Sequence, residues 1–136
     1  MGKRETPEEA VRRVGREVLG FLTETGFAGP HEVDGGFSYA GHGLRITIYY
    51  WYWKNEAGVI ADVRILGDSG PKAQADIAQL YAECGLGAVN HLPSQAASAR
   101  LAGLRVRAFA AALETLLPHL LAPGRTALVK RASARP

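Results

Sequence analysis

Apolar residues at spacings of three and four open the chain: Val11, Val14, Val18, Phe21 and Leu22 fall on one side of a helix. The residues ahead of this run predict its start. Thr6-Pro7-Glu8-Glu9 reads as a capping box, with Thr6 at the N-cap, Pro7 at the first helical position and Glu9 reaching back. Gly26 predicts a left-handed end, with Phe27 folding back as the apolar contact. Arg12 and Arg13 follow Glu8 and Glu9 by four residues, the favourable orientation for helix ion pairs. Arg12, Arg13 and Arg16 are therefore expected to form a solvated face rather than an anion site.

The pattern then changes period. Turn signals come at Gly29-Pro30, Gly35-Gly36 and Gly41-His42-Gly43, leaving room for short strands around 31–33 and 37–40. From Leu44 to Trp53 the chain is rich in β-branched and aromatic residues, and a second such run covers Val59 to Leu66. Together they predict a long antiparallel hairpin. With Asn55-Glu56-Ala57-Gly58 as its loop, Tyr50 faces Val63 and Ile48 faces Ile65 on an apolar side. Trp51 then faces Asp62, and Tyr49 faces Arg64, on the other. A loop one residue longer mixes Asp62 and Arg64 into the apolar side, because a one-residue slip turns every side chain over.

Helical spacing returns after Gly67-Asp68-Ser69-Gly70-Pro71, which is expected to open a second helix with Ile77, Leu80, Tyr81 and Cys84 inward and Gly85 as its stop. Cys84 reads as a small core residue rather than a nucleophile. A third helix is expected from a Ser94 cap to about Leu117, before Pro118, with Ala102, Val106, Phe109, Leu113, Leu116 and Leu120 forming a broad apolar stripe. The order α-β-β-β-β-α-α predicts an α+β domain: an antiparallel sheet of about four strands with a long central hairpin, one N-terminal helix and two C-terminal helices on one face. In topology alone, the run of helix, three strands and helix resembles double-stranded-RNA-binding domains. Those carry a lysine-rich start to their second helix, whereas here Lys72 stands alone in Pro71-Lys72-Ala73-Gln74-Ala75-Asp76.

Charge alters this picture at one end. The formal net charge is +3, but Arg125, Lys130, Arg131 and Arg135 lie in the last fifteen residues, which hold no acid. Residues 1–121 are therefore close to neutral and are expected to be the folded domain, with 122–136 a basic tail making weak polyanion contact. The length suits one core, and no apolar stretch approaches the ~20 residues needed to span a bilayer. Met1-Gly2-Lys3-Arg4-Glu5 has no apolar region behind its charges, so no leader and a cytoplasmic address are expected, without membrane contact. One cysteine excludes an internal disulfide and a cysteine-based metal cluster.

The non-core face of the hairpin carries the candidate chemistry. Arg45, Tyr49, Trp51 and Trp53 alternate with core residues along one strand, and Asp62 and Arg64 come from its neighbour. Arginine over tyrosine gives a cation–π contact, and the Trp51 indole N–H is placed to donate to Asp62. Tyrosine, tryptophan and arginine are the residues enriched at binding hot spots. If a helix or the tail covers this face, its aromatics are core; if it is open, it is a docking surface. Arg105 falls inside the stripe of the third helix, so it is expected to pair with Asp62 or Asp76, to snorkel, or to meet an anionic ligand. His31, His42, His91 and His119 show no metal-ligand spacing, and no catalytic set, metal or cofactor is expected. The functional expectation is a protein-binding module acting through the aromatic face, the third helix or both, including homodimerisation through that helix. The alternative is a small-ligand binder or enzyme with a pocket between sheet and third helix, around Tyr49, Trp51, Asp62 and Arg105.

Overall fold

A computed structural model describes residues 4–68 and 70–135. Met1–Lys3, Ser69 and Pro136 lie outside them, and with them part of the leader reading and the centre of the Gly67–Pro71 turn. The N-terminal helix follows its local signals. Helix α1 spans Pro7–Val18, with the Glu9 amide donating to Thr6 Oγ1 at 3.1 Å and the Thr6 amide to Glu9 Oε1 at 2.9 Å. The helix pauses at Leu19 and resumes as α2, Gly20–Glu24. Gly26 takes φ +98°, and the Phe27 amide reaches back to the Leu22 carbonyl at 2.9 Å, closing the predicted left-handed cap. Arg12 meets Glu32 on the sheet, while Arg13 holds Glu5 and also Glu17, an i,i+4 pair with the arginine leading.

Five antiparallel strands follow in simple meander order: β1 (Ala28–Val33), β2 (Gly36–Gly41), β3 (Leu44–Trp53), β4 (Glu56–Gly67) and β5 (Gly70–Asp76). The long hairpin is β3–β4, but its loop is Lys54-Asn55 alone, with Trp53 opposite Glu56. This corrects the predicted register by an even number of residues. Trp51 faces Gly58 rather than Asp62, and Tyr49 faces Ile60 rather than Arg64. Because the slip is even, each residue keeps its predicted side, and Trp51, Tyr49 and Arg64 stay opposite Tyr50, Val63 and Ile48. Two positions explain the error. Lys54 accepts a left-handed φ of +56°, so no glycine is needed at the turn. Gly58 serves a close approach instead: a Cβ there lies 2.7 Å from the Ser94 carbonyl oxygen of the segment crossing beside β4.

Strand β5 is the main departure in element type. Pro71–Asp76 was expected to begin a helix but pairs with β4, Asp76 opposite Asp62 and Gln74 opposite Arg64. Alternating Lys72, Gln74 and Asp76 with Ala73 and Ala75 is a strand pattern, and Asp76 then caps helix α3 (Ile77–Glu83) through a bond from the Gln79 amide at 2.7 Å. The double-stranded-RNA-binding comparison loses its second helix at this point. A single 3-10 turn at Val89–His91 leads to helix α4 (Ala99–Leu120), capped by Ser98 rather than Ser94 and running through Pro118. Ser94 instead accepts the Val59 amide at 2.9 Å, tying the crossing segment to β4.

The expected basic tail is a helix. Helix α5, Arg125–Ser133, packs along β5 and α3 and buries Leu128, Val129 and Ala132 in the common core. Arg131 and Arg135 both reach Glu83, at 3.2 and 2.9 Å, so two of the four cations assigned to polyanion contact are engaged within the fold. The core joins one sheet face to the helices. Leu44, Ile46, Ile48, Tyr50, Val59, Ala61, Val63 and Ile65 cluster with Val11 and Val14 of α1, Ile77 and Leu80 of α3, Leu113 and Leu116 of α4, and Val129 of α5.

Candidate functional site

With the helical layer on one side, the alternation of β3 and β4 sends the remaining side chains to the opposite, uncovered face. Cross-strand partners share a face, so the register arranges them in ranks. Arg45, Arg64 and Gln74 lie side by side across β3, β4 and β5; Thr47, Asp62 and Asp76 form the next rank. Then come Tyr49 beside Ile60, Trp51 beside Gly58, and Trp53 beside Glu56 at the hairpin tip. The face is charged at one end and aromatic at the other. Trp53 is 69% exposed, Arg45 is exposed, and Tyr49, Trp51, Ile60 and Arg64 are half-buried.

The charged end is poorly compensated. Arg45 and Arg64 oppose each other directly, as do Asp62 and Asp76, and like charges facing across strands are destabilising. Among the described residues, neither arginine has a carboxylate within ion-pair distance, and Arg64 Nε is buried without a hydrogen-bond partner. Asp62 is only 4% exposed although it stands on the open face, walled in by its neighbours. Gln74 donates to its Oδ2 at 3.3 Å, while Oδ1 has no partner. Burial pushes the Asp62 carboxyl above the usual carboxylate range; nearby Arg64 pulls it down, and Asp76 pushes it further up. The Trp51 indole N–H is buried without an acceptor, so the expected bond to Asp62 is absent, as the corrected register requires.

Arg105 does not belong to this face. It sits on α4, on the other side of the sheet, and its Nε donates to the Gln95 carbonyl at 2.9 Å. Gln95 bridges to Gly58, so Arg105 fastens the crossing segment to the end of β4. The predicted pairing with Asp62 or Asp76 is thereby replaced, and the pocket imagined between sheet and third helix is not formed by Tyr49, Trp51, Asp62 and Arg105. What lies there is a space of about 130 Å³ lined mainly by apolar residues, Val59, Ala61, Leu92 and Phe109 among them, together with Asp76 and Ser94. The stripe on α4 is buried throughout, chiefly against α1; the exposed large apolar residues here, Leu104 on the helix and Leu121 at its C-cap, lie off the stripe. Cys84 packs against the core, and burial pushes its thiol up, away from nucleophilic character. Among the described residues, no three histidine, cysteine, aspartate or glutamate side chains gather as a metal site, and no helix is long and apolar enough to cross a membrane.

One part of the surface was not foreseen. Past the start of β2, the edge of β3 opens into a groove of about 440 Å³ lined by Glu8, Asp34, Gly35, Tyr49, Tyr50, Trp51 and Tyr52. Tyr52 is 71% exposed beside it. The groove lies where β3 runs past the Asp34-Gly35 turn and Glu8 of α1 reaches its side, an arrangement that the sequence pattern signals weakly.

Comparison with protein-family models gives no match, and comparisons with curated proteins and with solved structures give none either.

Proposed function

We propose that this chain is a protein-binding module that docks a partner on the uncovered face of its sheet, through Tyr49, Trp51, Trp53 and the Arg45/Arg64 pair. The observation that carries this reading is the pairing of an open sheet face with aromatic side chains along its whole aromatic half, Trp53 being 69% exposed at its tip. An exposed tryptophan, two half-buried aromatic residues and two arginines on one sheet face have the composition of a binding hot spot. The partner surface best matched is apolar opposite Tyr49 and Trp51 and acidic opposite Arg45 and Arg64, where it relieves an uncompensated pair of like charges.

The test compares wild type, Trp53→Ala and Leu104→Ala as baits in one cell extract. Leu104 is also exposed, but on the helical side. Proteins retained by wild type and by Leu104→Ala should fall at least tenfold with Trp53→Ala, the scale of a hot spot of ~1.4 kcal/mol or more. Urea midpoints of all three should coincide, since both side chains lie outside the core. Equal retention by Trp53→Ala overturns the assignment of this face.

A further inference from the structure

The groove beside the hairpin tip has a backbone as well as a lining. A two-residue loop makes Trp53 and Glu56 the last hydrogen-bonded pair of β3–β4, so Trp51 and Tyr49 also direct their amides and carbonyls at β4. The even-numbered residues of β3 turn the other way, toward β2. The Tyr50 amide bears this out, donating to the Gly35 carbonyl at 3.0 Å. Gly35 is the end of that support, because the chain turns at Asp34-Gly35 into β1. The Tyr52 amide and carbonyl therefore face the groove where a continued β2 would lie. This is a short open edge in an otherwise managed sheet. The outer edge of β1 carries Pro30, which has no N–H, and a register shift, and the β5 side is packed by α5.

The groove also has a charge. Glu8 reaches it from α1 and Asp34 from the β1–β2 turn. Among the described residues neither is in an ion pair or side-chain hydrogen bond, unlike Glu5, Glu17, Glu32 and Glu83. Tyr49 and Trp51 flank the edge on the open face and Tyr52 on the other, so an added strand finds aromatic contact on both sides.

We infer that this edge accepts an extended basic segment of a partner protein, which adds beside β3 as a short strand and sets lysine or arginine side chains against Glu8 and Asp34. The inference rests on the docking reading of the open face and specifies what lies at its aromatic end. Main-chain bonds at Tyr52 supply the attachment, and the two carboxylates select a cation over an anion.

The probe is a synthetic peptide alternating lysine with valine, seven residues long, titrated into the full chain and followed by tryptophan fluorescence and calorimetry. Binding is expected for this peptide and not for its glutamate counterpart. It should weaken at least tenfold in Glu8→Gln/Asp34→Asn, whose urea midpoint should match wild type. Methylating one alternate set of peptide amides should abolish binding, while methylating the other set leaves it, because only one set faces β3. Equal loss from both sets, or survival of both, overturns strand addition. Preference for the glutamate peptide overturns the inference and moves the contact to Arg45 and Arg64. No binding of either peptide, alongside loss of bait-retained proteins with Trp53→Ala, sinks this inference and leaves the docking face standing. Peptide binding with unchanged retention by Trp53→Ala does the reverse.

Discussion

Asp62 is the residue on which the physics of the open face is most exposed to measurement. Burial raises its pKa, and Asp76 adds to the effect against the opposing pull of Arg64 and Gln74. The folded state therefore holds the Asp62 proton more tightly than the unfolded chain. Stability falls as pH rises from the ordinary carboxylate pKa, about 4, through the raised one, and the cost is complete above it. Asp62→Asn keeps the shape and the acceptor for Gln74 but removes the charge. Its urea midpoint should exceed that of wild type at pH 7.5 and converge with it near pH 3.5. A lower midpoint at pH 7.5 would mean that Arg64 makes the carboxylate a net stabiliser. At the same scale, the sequence was legible wherever a side chain bonds its own neighbourhood. The Thr6 box and the Gly26 turn need no partner from elsewhere in the chain. Arg105 illustrates the opposite case, since its acceptor, the Gln95 carbonyl, is a backbone group that no side-chain pattern advertises.

Among the elements, alternation proved more robust than register. The hydrophobic period of β3 and β4 assigned every residue to its face, but periodicity is blind to an even slip, and the turn that sets the register uses Lys54 with no glycine signal. Gly58 attracted the turn assignment because a glycine in a strand and one in a loop look alike in sequence. Its actual role depends on Ser94, brought there by the fold. Helix α5 was hidden for a related reason: its cations outweigh its few apolar residues, so charge suggested a tail. Val129 and Ala132 are nevertheless fully buried, and Leu128 is 8% exposed. A chain ending at Gly124 should lose roughly 3–6 kcal/mol of unfolding free energy, the value of burying a leucine, a valine and a smaller residue. Urea unfolding measures this directly, and an unchanged midpoint would restore the tail.

For the whole molecule, the α+β order and the one-sided layering were readable because each helix and strand declared its apolar face. Whether the second sheet face stays open was not readable, since that depends on where α5 goes, and α5 joins the helical side. The open face follows from that placement, while its division into a charged end and an aromatic end follows from the register of β3, β4 and β5. The most direct test is hydroxyl-radical footprinting of the free chain and of the chain bound to the protein that the Trp53→Ala bait loses. Trp51 and Trp53 are the only tryptophans, and both lie on the open face. In the free chain, Trp53 and Tyr52 should oxidise readily. In the complex, Trp53, Trp51 and Tyr49 should be protected severalfold, while Leu104 and Leu121 on the helical side remain unchanged. Protection confined to Leu104 and Leu121, with Trp53 still reactive, would place the partner on the helices and contradict docking on the sheet.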